Sequence, residues 1–245
     1  MKTTKLVVFL FAYNYNVVNI LLMAKFNYEL LSRENINGKR HYCTPDGRKL
    51  PSVTTILDAT KPPEKIQALA DWKKRVGEDQ AKQITTEAAG VGTVMHLMLE
   101  EYCLGQSKPP GSNQVQQIAY PMAQTIIKNG LCHMNEVWGN EISLYYPELY
   151  AGSTDLAGVW KNKETILDFK QTNKPKKEEW IDDYFIQLVF YSTAHNKVYG
   201  TNIRQGVILM CSRDCQYQEF IVDGAKWDHY ENMMWDKLEL YYSRA

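Results

Sequence analysis

The sequence predicts an α/β fold in which a mixed central β-sheet is flanked by helices and preceded by a helical region. Three observations carry this. From Glu64 to about Tyr102 the residues follow a helical pattern; from Glu136 to Thr172 three strand-type runs succeed one another through short turns; and GVILMCS and YQEFIVD add a strand pair between two helical segments.

Each element has a local reason. GKRHYCTPDGRKL, residues 38–50, holds a Pro-Asp-Gly turn between short polar and aromatic runs and reads as a hairpin. Ser52 or Thr54 can cap a short helix around Thr55–Thr60 that stops before Pro62 and Pro63. The long helical segment that follows is expected to break near Gly90 and Gly92, and a further helix covers about Asn113 to Lys128. AGSTDLAGVW, a KNKE turn and TILDFKQT form two strands of a hairpin, and a helix runs from about Lys177 to Val198. Asp223 caps a last helix carrying Trp227, Tyr230, Met234, Leu238 and Tyr241 at helical spacing.

With 44% hydrophobic residues in 245, the chain can bury one substantial core, and QSKPPGSNQ at 106–114 is too short for an interdomain linker. One domain is expected over 23–245. Residues 1–22 read as an apolar extension upstream of Met23: Asn14 and Asn16 interrupt the run and no small-residue cleavage site follows, so neither a secretion signal nor a membrane span is expected. The net charge of zero excludes a uniformly basic surface but not a local basic groove. Lys61, Lys65, Lys73, Lys74, Arg75 and Lys82 cluster in one segment, and Lys174, Lys176 and Lys177 in another; taken alone, each reads as a solvated face. Five irregularly spaced cysteines indicate reduced thiols in an intracellular protein, and Cys211 and Cys215 lack the usual zinc spacing.

The chemistry concentrates in GSTDLAGVWKNKETILDFK, residues 152–170. Asp168 and Lys170 share one face of a strand. If the two strands pair, Asp155 lies nearly opposite Asp168, with Cβ atoms on the order of 5 Å apart. Two facing carboxylates repel unless a cation stands between them, and hard oxygen ligands suit Mg2+ or Mn2+. Lys170 beside them can hold an attacking water or stabilise phosphate charge. The alternative is a surface hairpin with scattered charges.

Asp155, twelve intervening residues and Asp168-Phe169-Lys170 resemble the core of the PD-(D/E)XK nuclease superfamily. Gln187-Leu188-Val189-Phe190-Tyr191 matches the Q-x-x-x-Y helix of its RecB-like branch, and Gly92-Thr93-Val94-Met95-His96 with Glu100 resembles that branch's helical histidine motif. LPSVTTIL at 50–57 and WKKRVGE at 72–78 are similar to the mitochondrial genome maintenance exonuclease group and its phage relatives. The resemblance implies a restriction-endonuclease-like core and a Mg2+- or Mn2+-dependent deoxyribonuclease acting from free ends, with preference for single strands, in phage-type DNA processing, inside the cell or in host cytoplasm if viral. It makes Asp155, Asp168, Lys170, Gln187 and Tyr191 catalytic and His96, Asp155 and Asp168 metal ligands, with Glu100 orienting the histidine. It sets Ser52, Thr54, Trp72, Lys73, Lys74, Arg75 and Thr172 against DNA. Glu141 matches a recurrent acidic position. Two positions depart from the pattern: Gln171 follows Lys170 where the family has Thr, and Thr154 replaces the proline before the first aspartate. A structure-specific endonuclease with the same core, or a nucleic-acid-binding module with a decayed site, are the rival readings.

Overall fold

The computed structural model describes residues 25–244 together with the backbone of Leu21–Leu22. Other than Leu21–Leu22, the apolar extension expected over 1–22 lies outside the described residues. Chain order is β1 (Leu21–Leu22), β2 (Ser32–Ile36), β3 (Lys39–Cys43), β4 (Lys49–Pro51), α1 (Val53–Ala59), α2 (Pro63–Val76), α3 (Glu78–Cys103) and α4 (Gln114–Asn129). Then come β5 (Met134–Tyr146), β6 (Tyr150–Trp160), β7 (Lys163–Thr172), α5 (Asp182–Tyr199), β8 (Gly206–Ser212), β9 (Tyr217–Val222) and α6 (Gly224–Ser243). The main sheet has the order β1-β5-β6-β7-β8-β9. Its strands β5, β6 and β7 form an antiparallel meander, and α5 provides the crossover that makes β8 parallel to β7. A small antiparallel sheet, β2-β3-β4, joins it through the bridge between Ser52 and Ala151.

Alternation along the strands sorts side chains into two layers. Ile166 and Ile208 pack on one face with Phe185, Val189, Trp227 and Met234, beneath α5 and α6. Leu167, Phe169 and Leu209 pack on the other with Val91, Met95, Leu99, Met122 and Ile126, beneath α3 and α4. The mixed, helix-flanked sheet is the architecture expected from the sequence.

Some boundaries differ. The helical segment breaks at Gly77, not near Gly90 and Gly92. Gly77 has φ +90°, which a residue with a Cβ rarely adopts, and it closes α2. Through Gly90 and Gly92 the buried stripe Val91, Met95, Leu99 and Cys103 continues at i, i+4 spacing, and its burial overrides the poor helix propensity of two glycines. Ser52 is the residue that caps α1, its side chain accepting from Thr55 N–H at 3.0 Å. α5 starts at Asp182, after a 3-10 turn at Glu178–Trp180. Asp223 stands at the start of α6 without a side-chain cap bond; its carboxylate meets Lys163 instead.

At Gly158 a Cβ would stand 2.1 Å from the backbone oxygen of Glu136, where β5 is bulged against β6. A backbone atom cannot swing away as a side chain can. Gly158→Ala is expected to destabilise the protein by about 2–3 kcal/mol, read as a lowered urea midpoint at unchanged slope.

Candidate active site

The site is built on a fork. The β6–β7 ladder runs from Trp160↔Lys163 to Leu156↔Leu167 and stops. One position further along the same register stand Asp155 and Asp168. Beyond them β6 stays with β5, pairing Thr154 with Ile142, while β7 pairs with β8 from Ile166 to Thr172. Polar side chains occupy the gap where ladder bonds cease: Asp155 Oδ2 accepts from Phe169 N–H at 2.6 Å, and Thr154 Oγ1 donates to the Leu167 carbonyl at 3.2 Å. Thr154, the residue that departs from the family's proline, thus closes the fork.

Asp155 and Asp168 are both buried. His96, on the flank of α3, sets its Nδ1 3.1 Å from Asp155 Oδ1. Lys170 forms an ion pair with Asp168, and its Nζ lies 5.0 Å from the Tyr184 ring centroid. Gln187 Nε2 donates to the Tyr191 hydroxyl at 2.9 Å, one turn apart on α5. The Tyr191 ring covers Gly152, where a Cβ would approach it to 2.5 Å.

Glu141 joins this group. It lies between the pairs Asn140↔Leu156 and Ile142↔Thr154, across from Asp155, with φ +50°. A non-glycine residue held in the left-handed region is uncommon and concentrates at functional sites. Ligand atoms of His96, Glu141 and Asp155 all lie within 4.8 Å of one another. Among the described residues this trio is the group spaced to hold a cation, and it contains Glu141 where the sequence reading had Asp168. Asp168 stands at the same end of the sheet, in an ion pair with Lys170.

The charges explain the titration. Burial opposes ionisation of Asp155, yet His96, Lys170 and the Phe169 N–H hold its carboxyl below the ordinary value. Asp168 is raised, because burial and the Asp155 charge outweigh Lys170. His96 is raised against burial by Asp155, and Lys170 is raised against burial by Asp168 and Asp155, so its ammonium stays charged. Burial and the Asp155 charge push Glu141 up to about 7.

The remaining sequence-derived residues are placed as follows. Ser52 is buried, its hydroxyl engaged with Thr54, Thr55 and the cap of α1, while Thr54 is exposed. Lys73, Lys74 and Arg75 are exposed and Trp72 part-exposed on α2, a helix with no buried residue, tied by Lys65 to Asp182 and Asp183 of α5. Thr172 is buried and donates its hydroxyl to the Lys174 carbonyl at 2.8 Å. Glu100 lies one turn beyond His96 on α3 and is partly buried.

A forked mixed sheet with an Asp and an Asp-x-Lys at its split, a histidine reaching in from one helix and a Gln-Tyr pair from another, is similar to the arrangement expected from the resemblance to PD-(D/E)XK nucleases. The sequence comparisons agree. The chain is 29% identical over 175 residues to "Mitochondrial genome maintenance exonuclease 1" of Mus musculus, covering 67% of this chain and 50% of that protein. It is 26% identical over 210 residues to the Xenopus tropicalis protein of that name, covering 79% and 56%. The human protein is 27% identical over 177 residues, covering 67% and 50%. The chain spans about half the length of the curated relatives it matches. No family model matches the sequence. A crystal structure of an alkaline exonuclease from Laribacter hongkongensis overlaps in part, at 14% identity and a TM-score of 0.34, covering 61% of this chain and 76% of that one.

Without a cation, Glu141 should weaken the fold at high pH. Its folded pKa of about 7 lies above the ordinary 4.5, so the stability it permits is present below 4.5 and lost as pH rises through 7. Glu141→Gln in chelator is therefore expected to melt higher than wild type at pH 8, by on the order of 2 kcal/mol after allowing for partial exposure, and equally near pH 4.5. Melting curves at the two pH values read the difference.

Proposed function

We propose that this chain is a metal-dependent deoxyribonuclease that hydrolyses phosphodiester bonds, working from free ends with preference for single strands. The observation that carries the reading is the convergence of Asp155, Asp168 and Lys170 at the fork. The exonuclease relatives support the same reading.

The donor set fits a hard divalent ion: one imidazole nitrogen and carboxylate oxygens gathered at one end of the sheet, with an excess of negative charge. His96, Glu141 and Asp155 would hold Mg2+ or Mn2+, with Asp168 in reach of the same region. The bound ion would supply Lewis acidity toward a phosphate oxygen and lower the pKa of a water. The protein's own groups do the rest. The Phe169 N–H fixes Oδ2 of Asp155 and so orients the carboxylate, leaving Oδ1, beside His96, for the ion. Lys170, kept protonated by Asp168, presents an ammonium that can orient the attacking water or accept charge growing on the phosphate. Gln187 and Tyr191 hold one wall beside these groups. Lys73, Lys74 and Arg75 would bind phosphates along α2, and Trp72 would stack on a base.

Asp168→Asn is the direct test of the chemistry. It removes one charge at nearly constant volume and frees Lys170 from its partner, so cleavage of end-labelled single strands should fall by at least about a hundredfold with circular dichroism unchanged. Wild-type cleavage in the folded variant would refute the reading. Linear single strands should be digested and closed circular ones spared; rapid cutting of circles would favour the endonuclease alternative.

Metal binding should release protons. His96 is raised and Glu141 titrates near 7, and both must be deprotonated to ligate. Affinity for Mn2+ should rise up to about tenfold per proton displaced for each pH unit between 6 and 8. Calorimetry in two buffers of different ionisation enthalpy counts those protons.

A further inference from the structure

Beyond Lys170 the chain continues through Gln171 and Thr172, and the backbone N–H of Arg213 donates to the Thr172 carbonyl at 3.0 Å. Arg213 thus begins where the parallel pair β7–β8 ends, on the α3 side of the sheet. Its side chain is 19% exposed and its Nη1 meets Glu87 of α3 at 3.1 Å. Its Nε is buried and has no partner among the described residues, nor has Oε1 of the neighbouring Gln171, whose Cγ packs against Gly92. A guanidinium has five donors, and a largely desolvated one with a single partly exposed carboxylate is under-paired. The other nearby carboxylate, Asp214, is occupied by Ser212 and Gln216.

The loop that follows Thr172 carries lysines and is fixed. Gln218 of β9 clamps the Lys176 backbone through both its N–H and its carbonyl, at 2.7 and 2.8 Å. Thr172 holds the Lys174 carbonyl. Lys174 and Lys176 are exposed, and neither has an ion-pair partner among the described residues. An ordered loop that presents unpaired lysines beside an under-paired arginine fits a polyanion better than a merely solvated face.

Spacing links this track to the active site. Glu87 and His96 are nine residues apart on α3, roughly 13 Å along its axis and about two and a half turns, hence on opposite flanks. A strand that meets both the site beside His96 and Arg213 would therefore span about that length of α3. A stacked strand rises about 3.4 Å per nucleotide and an extended one more, so a strand reaching from His96 to Arg213 would cover about two to four nucleotides.

We propose that Arg213 binds a phosphodiester of the substrate strand a few nucleotides from the bond that is cut, with Lys174 and Lys176 continuing the track and Glu87 holding the guanidinium in place until substrate arrives. The inference rests on the nuclease reading and adds a substrate-binding residue that the motifs do not contain.

Arg213 and Glu87 make opposite predictions. With single-stranded oligonucleotides of ten or more residues, Arg213→Gln should raise KM roughly tenfold with little change in kcat and a smaller salt slope. Glu87→Gln, which releases the guanidinium, should lower KM. A single uncharged methylphosphonate, moved stepwise away from the cut, should raise KM for wild type at one position and have no further effect there in Arg213→Gln. If the pair is only structural, both variants will lose melting temperature together and KM will stay put or move in one direction for both, which overturns the assignment. The methylphosphonate series uses wild-type protein, so a folding defect in either variant does not decide the outcome: no sensitive position between two and four nucleotides also overturns it. Wild-type protein that cuts no DNA would instead remove the nuclease reading itself.

Discussion

The structure depends on one constraint: β6 and β7 must part after Leu156 and Leu167. An antiparallel ladder that ends inside a sheet leaves backbone donors and acceptors without partners, and buried ones are costly. Here two side chains take their places. Asp155 accepts the Phe169 N–H, and Thr154 donates to the Leu167 carbonyl. The carboxylate that repairs the backbone is also the one His96 contacts. Structural satisfaction and site assembly are therefore the same bond, and Asp168 and Lys170 stand at the opening of the fork.

The electrostatics follow from crowding. Glu141, Asp155 and Asp168 outnumber the one permanent cation, Lys170, with His96 as the adjustable member. The consequences are mutual: Asp155 is lowered while Asp168 and Glu141 are raised, and His96 is drawn toward protonation. A site with this imbalance is poised to exchange protons for a cation. The left-handed backbone at Glu141 shows that the imbalance is maintained by the fold, since an unconstrained strand residue would relax to extended geometry and carry the carboxylate away.

Much of this was legible in the sequence. Strand alternation places Asp168 and Lys170 together, and the short turn fixes the register that brings Asp155 level with Asp168. The i, i+4 spacing of Gln187 and Tyr191 appears as a hydrogen bond. What was not legible depends on tertiary context. Gly90 and Gly92 look like breakers, but the buried stripe Val91, Met95 and Leu99 carries α3 through them, while Gly77 supplies the turn. Glu141 matched only a recurrent acidic position, because a positive φ leaves no trace in composition or period. The pairing of Asp168 with Lys170 depends on side-chain geometry that spacing does not encode. Arg213 follows a strand with no motif around it, and its position beside Thr172 exists only because β8 lies parallel to β7.

If the fork gathers carboxylates to receive a cation, removing the charge of Asp155 should separate its two roles. The most direct measurement is the melting temperature of wild type and Asp155→Asn, with and without Mn2+ at pH 7.5. A ligand that binds the folded state alone raises its melting point. Asparagine keeps an acceptor for the Phe169 N–H, so the metal-free variant should melt within a few degrees of wild type, roughly the shift that 1 kcal/mol produces. The Mn2+-dependent rise should be present in wild type and lost in the variant. An undiminished rise in Asp155→Asn, or none in wild type, would contradict the account.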